Sequence, residues 1–407
     1  MTETLFHIER LGHQGDGIAQ GPVFAPRCLP GEIVTGDVAD GRIASPRIVT
    51  PSADRIKAPC AHYNACGGCS LQHASDDFVA NWKNEVVGLA LSARGISADL
   101  AETETSPALS RRRATLSARR GKKGPIVGFH GRASGSISGI DNCKLLVPEI
   151  LDGCKAVGAL AMAGASRKAE ISATLTLSAN GLDVAVTGGK PLDRTLEATL
   201  AQLLHEYGLA RLSWDGEVIA MARAPFQVFG AAKVTPPPGA FLQATKEGEA
   251  SLLAVVKEGL RDARRVVDLF AGCGTFSLPL AENAEVHAVE GQADMMQALD
   301  AGWRHTSGLR MVTTETRDLF RAPLLPDEFK GFDAAVIDPP RAGAEAQIAE
   351  LAKSGIKRIA MVSCNPVTFA RDASVLVGAG YEMGPVHVVD QFRWSTHVEQ
   401  AAIFRLP

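Results

Sequence analysis

The chain has 407 residues, too many for one ordinary core, so two or three domains are expected. With 46% hydrophobic and 21% charged residues it can fill sizeable cores, which excludes a broadly disordered chain. A net charge of −3 predicts no polyanionic partner by itself. No apolar run approaches the roughly 18 residues of a membrane helix. The start, Met1-Thr2-Glu3-Thr4-Leu5, lacks the basic-then-apolar pattern of a secretory signal. The expected location is cytoplasmic, with no membrane association.

Residues 1–52 read as short strands broken by Gly and Pro turns, a pattern that favours a small closed or half-closed β-barrel. A cysteine cluster follows at 53–72. From about Asp76 to Ser92 the pattern is helical, with Phe78, Trp82, Val86 and Leu89 on one face. This helix is expected to pack on the C-terminal domain. Residues 110–187 read as strands and turns, with a helix near Val147–Ala163 and a hairpin around Asn180-Gly181. The expected units are therefore 1–52, a mainly β central domain over 53–232, and 233–407.

From Arg264 onward, strands at Arg265–Phe270, Glu285–Glu290, Met311–Thr316, Asp333–Asp338 and Arg358–Cys364 alternate with helical stretches. The alternation argues for α/β class: a doubly wound, Rossmann-like parallel sheet. Tyr381–Val389 and His397–Phe404 form a terminal hairpin. There are no internal repeats.

Asp268-Leu269-Phe270-Ala271-Gly272-Cys273-Gly274 follows an apolar strand and opens a helix. Its glycines let backbone approach a ligand at the sheet's carboxyl edge, and Glu290 at the end of the next strand can accept ribose hydroxyls. Ser277 stands where a dinucleotide loop wants a third glycine. A nucleoside cofactor without phosphates, S-adenosylmethionine, fits better than a dinucleotide. The plain alternative is a tight turn without ligand.

Cys364 lies in Ser363-Cys364-Asn365-Pro366, with Pro366 suited to a first helical turn and Asn365 to its cap. A helix N-terminus beside a thiol favours thiolate. The plain alternative is a buried small hydrophobe. Asp338-Pro339-Pro340-Arg341 ends the neighbouring strand, and Glu399 comes from the hairpin. A nucleophile, a methyl donor and a base define a reaction. Uracil C5 is too weakly nucleophilic to take a methyl group unaided. A thiolate adding at C6 makes C5 carbanion-like, and a base then removes the C5 proton so that the thiol leaves.

The chain resembles the RNA uracil-5-methyltransferase family, nearest to its iron–sulfur, TRAM-containing branch acting on 23S rRNA. The motifs that carry the resemblance are Phe241-Leu242-Gln243-Ala244-Thr245, Asp268–Phe276, Asp338–Arg341, Ser363–Pro366 and His397–Gln400. It implies a class I methyltransferase domain behind a TRAM-like barrel. It also implies that Gln243, Phe270, Glu290 and Asp338 line the S-adenosylmethionine pocket, with Cys364 as nucleophile and Glu399 as proton acceptor. Two positions depart from the family pattern. Thr245 replaces a frequent Asn, which puts one hydrogen bond in question, and Phe270-Ala271 replaces a frequent Tyr-Cys.

Cys60, Cys66, Cys69 and, from a distant loop, Cys143 form a four-thiolate set whose spacing leaves iron–sulfur and structural zinc both open. The resemblance implies a [4Fe–4S] cluster on these four. Cys28, Cys154 and Cys273 read as ordinary thiols.

Nine Lys or Arg and one acid lie between Arg111 and Lys144. This run, including Arg111-Arg112-Arg113, Arg119-Arg120 and Lys122-Lys123, reads as an RNA-binding patch. Its plain alternative is a solvated charge run. Phe6, His7, Phe24 and Phe129-His130 are candidates for base stacking. The expected partner of this monomer is RNA, 23S rRNA before the tRNA T-loop, with the target uridine flipped out. An amino-group methyltransferase would place an aromatic where Arg341 stands, and a non-catalytic RNA-binding module would have no use for Cys364 and Glu399.

Overall fold

The computed structural model describes residues 4–132 and 134–407. Between Leu5 and Thr50 seven short strands share one small core of Ile8, Ala19, Ala25, Cys28, Val34 and Ile43. A bulge between Ile8 and Arg10 bends the strand Leu5–Leu11, which pairs with Asp16–Ala19 on one side and Ile33–Thr35 on the other. Among the described residues the end strands, Val38–Ala39 and Arg47–Thr50, do not pair with each other, so this sheet is half-closed.

A second seven-stranded sheet runs from Ile137–Gly139 at one edge to Glu217–Met221 at the other, with Arg113–Gly121 and Glu170–Ser178 near its centre. Alternate residues Ile171, Ala173 and Leu175 point into a core closed by the helix Pro148–Gly164. A second covering helix, Arg194–Glu206, is additional to the expected elements. It buries Leu200 and Leu204 at helical spacing.

The third sheet follows the order Val312–Thr316, Glu285–Glu290, Arg265–Leu269, Ala334–Ile337, Arg358–Ser363, Glu399–Arg405, His387–Asp390 and Glu104–Thr105. The first five strands are parallel. Both faces are covered, which is why Ala334–Ile337 is buried at every position. The terminal hairpin enters antiparallel: Glu399–Arg405 pairs with Arg358–Ser363 and with His387–Asp390.

The helix Asp76–Ser92 has the expected bounds, and of its expected face Trp82 is buried with Phe78 and Val86 packed beside it, but Leu89 is not. Leu89 is 61% exposed, and the buried stripe is Val79, Trp82, Lys83, Val87 and Leu91. The helix joins two cores. Val79 and Trp82 pack with Leu11, Leu29 and Leu71, whereas Val87 and Leu91 join one core of the third sheet. Lys83 lies between them, fully buried, with Nζ 2.5 Å from Asp390 Oδ1 and donating to the Phe392 carbonyl at 3.3 Å. An apolar pattern passes over this residue because its partner lies 307 positions away. No helix among the described residues is long and apolar enough to cross a membrane.

Removing one member of such a pair strands a buried charge. Lys83→Met is expected to destabilise the fold by about 3–5 kcal/mol, and the double variant with Asp390→Leu by clearly less. Denaturant unfolding of both checks this, and equal losses would show that the pair does not act as a unit.

Candidate active site

The carboxyl edge of the third sheet brings four of the sequence-selected side chains together. The register Ser363 opposite Gln400 continues one step to set Cys364 level with Glu399. Asp338 follows Ile337 on the adjoining parallel strand, whose register pairs Ile337 with Met361. Gln243 arrives from the loop before the helix Lys246–Gly259 and donates from Nε2 to Asp338 Oδ2 at 3.3 Å. Phe270 and Glu290 lie along the same edge, at the ends of the strands Arg265–Leu269 and Glu285–Glu290.

Asn365 is the cap of the helix Pro366–Gly378: its Oδ1 accepts from Val367 N at 3.1 Å, and its Nδ2 donates to the Arg341 carbonyl at 2.9 Å. One side chain thus ties the loop after Asp338 to the turn carrying Cys364. The expected thiolate is not favoured in the ligand-free site. Burial, with Glu399 and Asp338 alongside, pushes the Cys364 thiol from 9.0 up to about 12, against a smaller opposing effect of Arg341. A helix dipole is typically worth about 0.3–1 kcal/mol, less than one pKa unit, and burial together with two carboxyl neighbours outweighs it.

The carboxyls show the same desolvation. Glu399 is pushed up to about 8 by burial and by Asp338, while Asp338 and Asp268 are each raised to about 7, chiefly by burial. Glu399 is therefore a stronger proton acceptor than an ordinary carboxylate.

The glycine loop is built to hold a ligand. Phe270 adopts φ +62, Gly272 +55 and Gly274 +94, and a Cβ at Gly272 would project into open space. A left-handed phenylalanine costs on the order of 1–3 kcal/mol. The Phe270 ring lies 5.3 Å from that of Phe320. Glu290 is fixed by two backbone donors, Gly272 N at 3.2 Å to Oε2 and Gln292 N at 3.1 Å to Oε1. Its remaining lone pairs are free for a diol. Asp268 accepts from Ser277 Oγ at 2.5 Å, and its buried Oδ1 has no hydrogen-bond partner. The helix after the loop is only Ser277–Leu280, shorter than the sequence pattern suggests. Ser277 is buried and serves Asp268, so no phosphate seat forms there.

Thr245, one of the two departures from the family pattern, is engaged by the neighbouring helix. It caps the helix Lys246–Gly259 by accepting from Gly248 N at 3.0 Å, and its hydroxyl lies 2.7 Å from that of Ser106.

Cys60, Cys66, Cys69 and Cys143 converge elsewhere, lining one small pocket with Phe129, Ile140 and Leu145. Gly68 N donates to Cys66 Sγ at 3.3 Å and Leu145 N to Cys143 Sγ at 3.4 Å. As they stand, among the described residues, no three His, Cys, Asp or Glu groups are drawn together into a formed metal site. Cys28, Cys154 and Cys273 are buried or half-buried thiols whose pKa values burial raises.

Part of the expected RNA patch is internal. Arg112 pairs with Glu249 at 2.5 Å and donates to the Gln243 carbonyl at 3.2 Å. Arg113 donates to the carbonyls of Gly239 and Ala240. The Arg111 guanidinium lies 5.8 Å from the Phe392 ring centre. These arginines clamp the Gln243 loop and the hairpin because buried carbonyls and one carboxylate there need donors. Phe129 packs on the cysteine pocket, and His130 lies 2.8 Å from Glu170. Lys122 and Lys123 are exposed. The sequence reading passed over Gln391 and the Lys83–Asp390 pair. Their only signal is a polar pair, Asp390-Gln391, ending an otherwise apolar strand.

A doubly wound sheet with a glycine loop and an acid on the next strand, here with a half-buried thiol at its carboxyl edge, is the fold of a class I methyltransferase. The comparisons agree. The profile of the family described as tRNA (uracil-5-)-methyltransferase matches residues 308–405. An uncharacterized RNA methyltransferase of Rhizobium meliloti is 44% identical over 404 residues, covering 97% of each chain. The 23S rRNA (uracil(1939)-C(5))-methyltransferase RlmD of Vibrio vulnificus is 31% identical, covering 98% of this chain and 95% of its own. The tRNA (uracil-54, C5)-methyltransferase of Pyrococcus abyssi, solved with S-adenosyl-L-homocysteine, shares the fold. Its TM-score is 0.79 over 99% of this chain and all of its own, at 19% identity. The chain belongs to the RNA uracil-5-methyltransferase family and is an S-adenosylmethionine-dependent enzyme acting on RNA.

The three raised carboxyls give a pH prediction. Each binds its proton more tightly folded than unfolded, so their contribution to stability is full below about pH 4 and is lost as pH rises through about 7 to 8. A sulfonium cation offsets that loss; neutral S-adenosylhomocysteine does not. The affinity ratio of S-adenosylmethionine to S-adenosylhomocysteine is expected to rise several-fold from about pH 6 to about pH 9. Calorimetric titration measures it, and a flat ratio would contradict this electrostatic account.

Proposed function

We propose that this enzyme methylates C5 of a specific uridine in 23S rRNA, with Cys364 as nucleophile and Glu399 as base. The carrying observation is the strand register that sets Cys364 level with Glu399, beside Asp338 and Gln243. S-adenosylmethionine supplies an electrophilic methyl group. Gln243, Phe270, Glu290 and Asp338 hold it, consistent with the glycine loop, the anchored Glu290 and the buried carboxyls. Cys364 releases its proton to water and its sulfur bonds to C6 of the flipped base. The electron pair of the C5–C6 double bond reaches C5, which takes the methyl group, while the electrons of the broken S–CH3 bond stay on the donor sulfur and S-adenosylhomocysteine leaves. Glu399 then accepts the C5 proton, the C5–C6 double bond re-forms, and the Cys364 sulfur leaves with the electrons of its bond to C6.

We read the chain as three units, 1–52, 53–232 and 233–407, the first a TRAM-like RNA-binding barrel. Support for RNA contact comes from the groove beside that barrel, which Arg27, Arg42, Arg55 and Arg132 line. Asp16 and Glu32 neutralise only part of that charge. The preference for rRNA over tRNA rests on the RlmD relative, whose coverage is near complete.

In a test with labelled S-adenosylmethionine, the wild-type protein is expected to place 5-methyluridine in 23S rRNA and not in tRNA, as mapped by mass spectrometry. Cys364→Ala is expected to bind both ligands without transfer. Glu399→Gln is expected to alkylate and stall, leaving a denaturation-resistant protein–RNA adduct. Turnover by Cys364→Ala would refute the nucleophile, and label confined to tRNA would refute the target.

The four cysteines of the second pocket suit a [4Fe–4S] cluster: the donors are all soft sulfur, and two backbone N–H groups already point at sulfurs. When bound, the cluster supplies a four-point crosslink and no step of the methyl transfer. The protein purified without oxygen is expected to carry about four irons and four acid-labile sulfides per chain. Cys69→Ser is expected to lose them. Zinc in their place would overturn the assignment.

A further inference from the structure

We infer that Gln391 is the positioning residue for the base: its amide joins Glu399 to the Gln243–Asp338 pair and keeps a donor aimed at each carboxyl. This rests on the reading of Glu399 as the proton acceptor. The argument is one of hydrogen-bond polarity. Ala244 N–H can only donate, and it donates to Gln391 Oε1 at 2.7 Å. Oε1 is thereby fixed, and Nε2 must face the other way. One of its hydrogens goes to Gln243 Oε1 at 2.5 Å; the other is left for Glu399, which the pairing of Val389 with Glu399 sets beside this strand end and whose pKa the Gln391 amide lowers. Gln243, accepting at Oε1, must in turn present Nε2 to Asp338, which it does at 3.3 Å. A single backbone N–H therefore sets the sense of the whole chain, and neither amide can flip without leaving two donors face to face.

The fold spends specific features on this arrangement. A Cβ on Gly248 would come within 2.6 Å of Gln391 Cβ, so only glycine there lets Gln391 lie against the start of the helix. The preceding residue, Asp390, is anchored from the other side by Lys83 and accepts from Phe392 N at 3.0 Å. Gln391 is itself 1% exposed. The charged and titratable groups acting on Glu399 are Asp338, Arg341, Lys83 and Cys364. Burial and Asp338 oppose ionisation of Glu399, whereas the Gln391 donor, with Arg341 and Lys83, favours the ionised form that accepts the C5 proton.

The test compares Gln391→Leu, similar in size but without the amide, and Gln391→Asn with the wild type, by rapid quench on a uridine-containing RNA. Gln391→Leu is expected to form the methylated adduct within a fewfold of the normal rate. It is then expected to release it roughly ten- to a hundredfold more slowly. The pH dependence of release should move alkaline by about one unit. Thermal unfolding reports whether the variant folds. If it does not, Gln391→Asn, which keeps the amide on a shorter stem, should show the same direction of shift with a smaller effect. Uniform loss of both steps at an unchanged pH profile would reduce Gln391 to packing and overturn the inference. Glu399→Gln run alongside separates the two ideas. Adduct build-up there but not in either Gln391 variant sinks only the positioning role, whereas none in any variant sinks the base.

Discussion

The antiparallel entry of Glu399–Arg405 beside Arg358–Ser363 is the constraint on which the site depends. A continuing parallel strand would begin at the far edge of the sheet and carry its first residue away from the ligand side. Reversal brings the first residue of the last strand to the edge where the parallel strands end. A slip of one residue would turn Glu399 to the opposite face. The register is held by alternate burial: Ala401 and Ile403 join one core, Ala402 and Phe404 the other. Lys83 and Asp390 pin the neighbouring strand end from below.

That geometry gathers acids where water is scarce. Asp268, Asp338 and Glu399 share one edge, and burial holds each above its ordinary range. The site is thus poorly satisfied without a cation, and the substrate of this family brings one in its sulfonium. The thiol obeys the same rule: burial first, and then Glu399 and Asp338, hold Cys364 protonated. The helix behind it, capped by Asn365, fixes where the sulfur lies more than it sets its ionisation.

Much of this was legible in the sequence because it was local. Strand ends, the Asn365-Pro366 cap, the glycine loop and the five-strand alternation rest on neighbours in the chain. So did the helix Asp76–Ser92 with Trp82 on its buried face, though not Lys83, which finds its partner only in the folded chain. Arg112 and Arg113 of the basic run misled for the same reason. Composition cannot distinguish a guanidinium offered to phosphate from one buried against Glu249 and the carbonyls of Gly239 and Ala240. Gln391 left no local mark beyond the polar pair Asp390-Gln391, since its meaning lies in hydrogen-bond polarity between segments about 150 residues apart. Thr245 looked like a lost contact and is a helix cap.

The most direct measurement uses RNA carrying 5-fluorouridine at the target position, incubated with S-adenosylmethionine. Fluorine on C5 cannot be removed as a proton is, so addition and methyl transfer should proceed and elimination should stop. The account predicts a stable complex whose digestion yields one peptide, cross-linked through Cys364 to a base carrying both fluorine and the transferred methyl. A complex linked through any other residue, or methylated fluorouridine released free of protein, would contradict it.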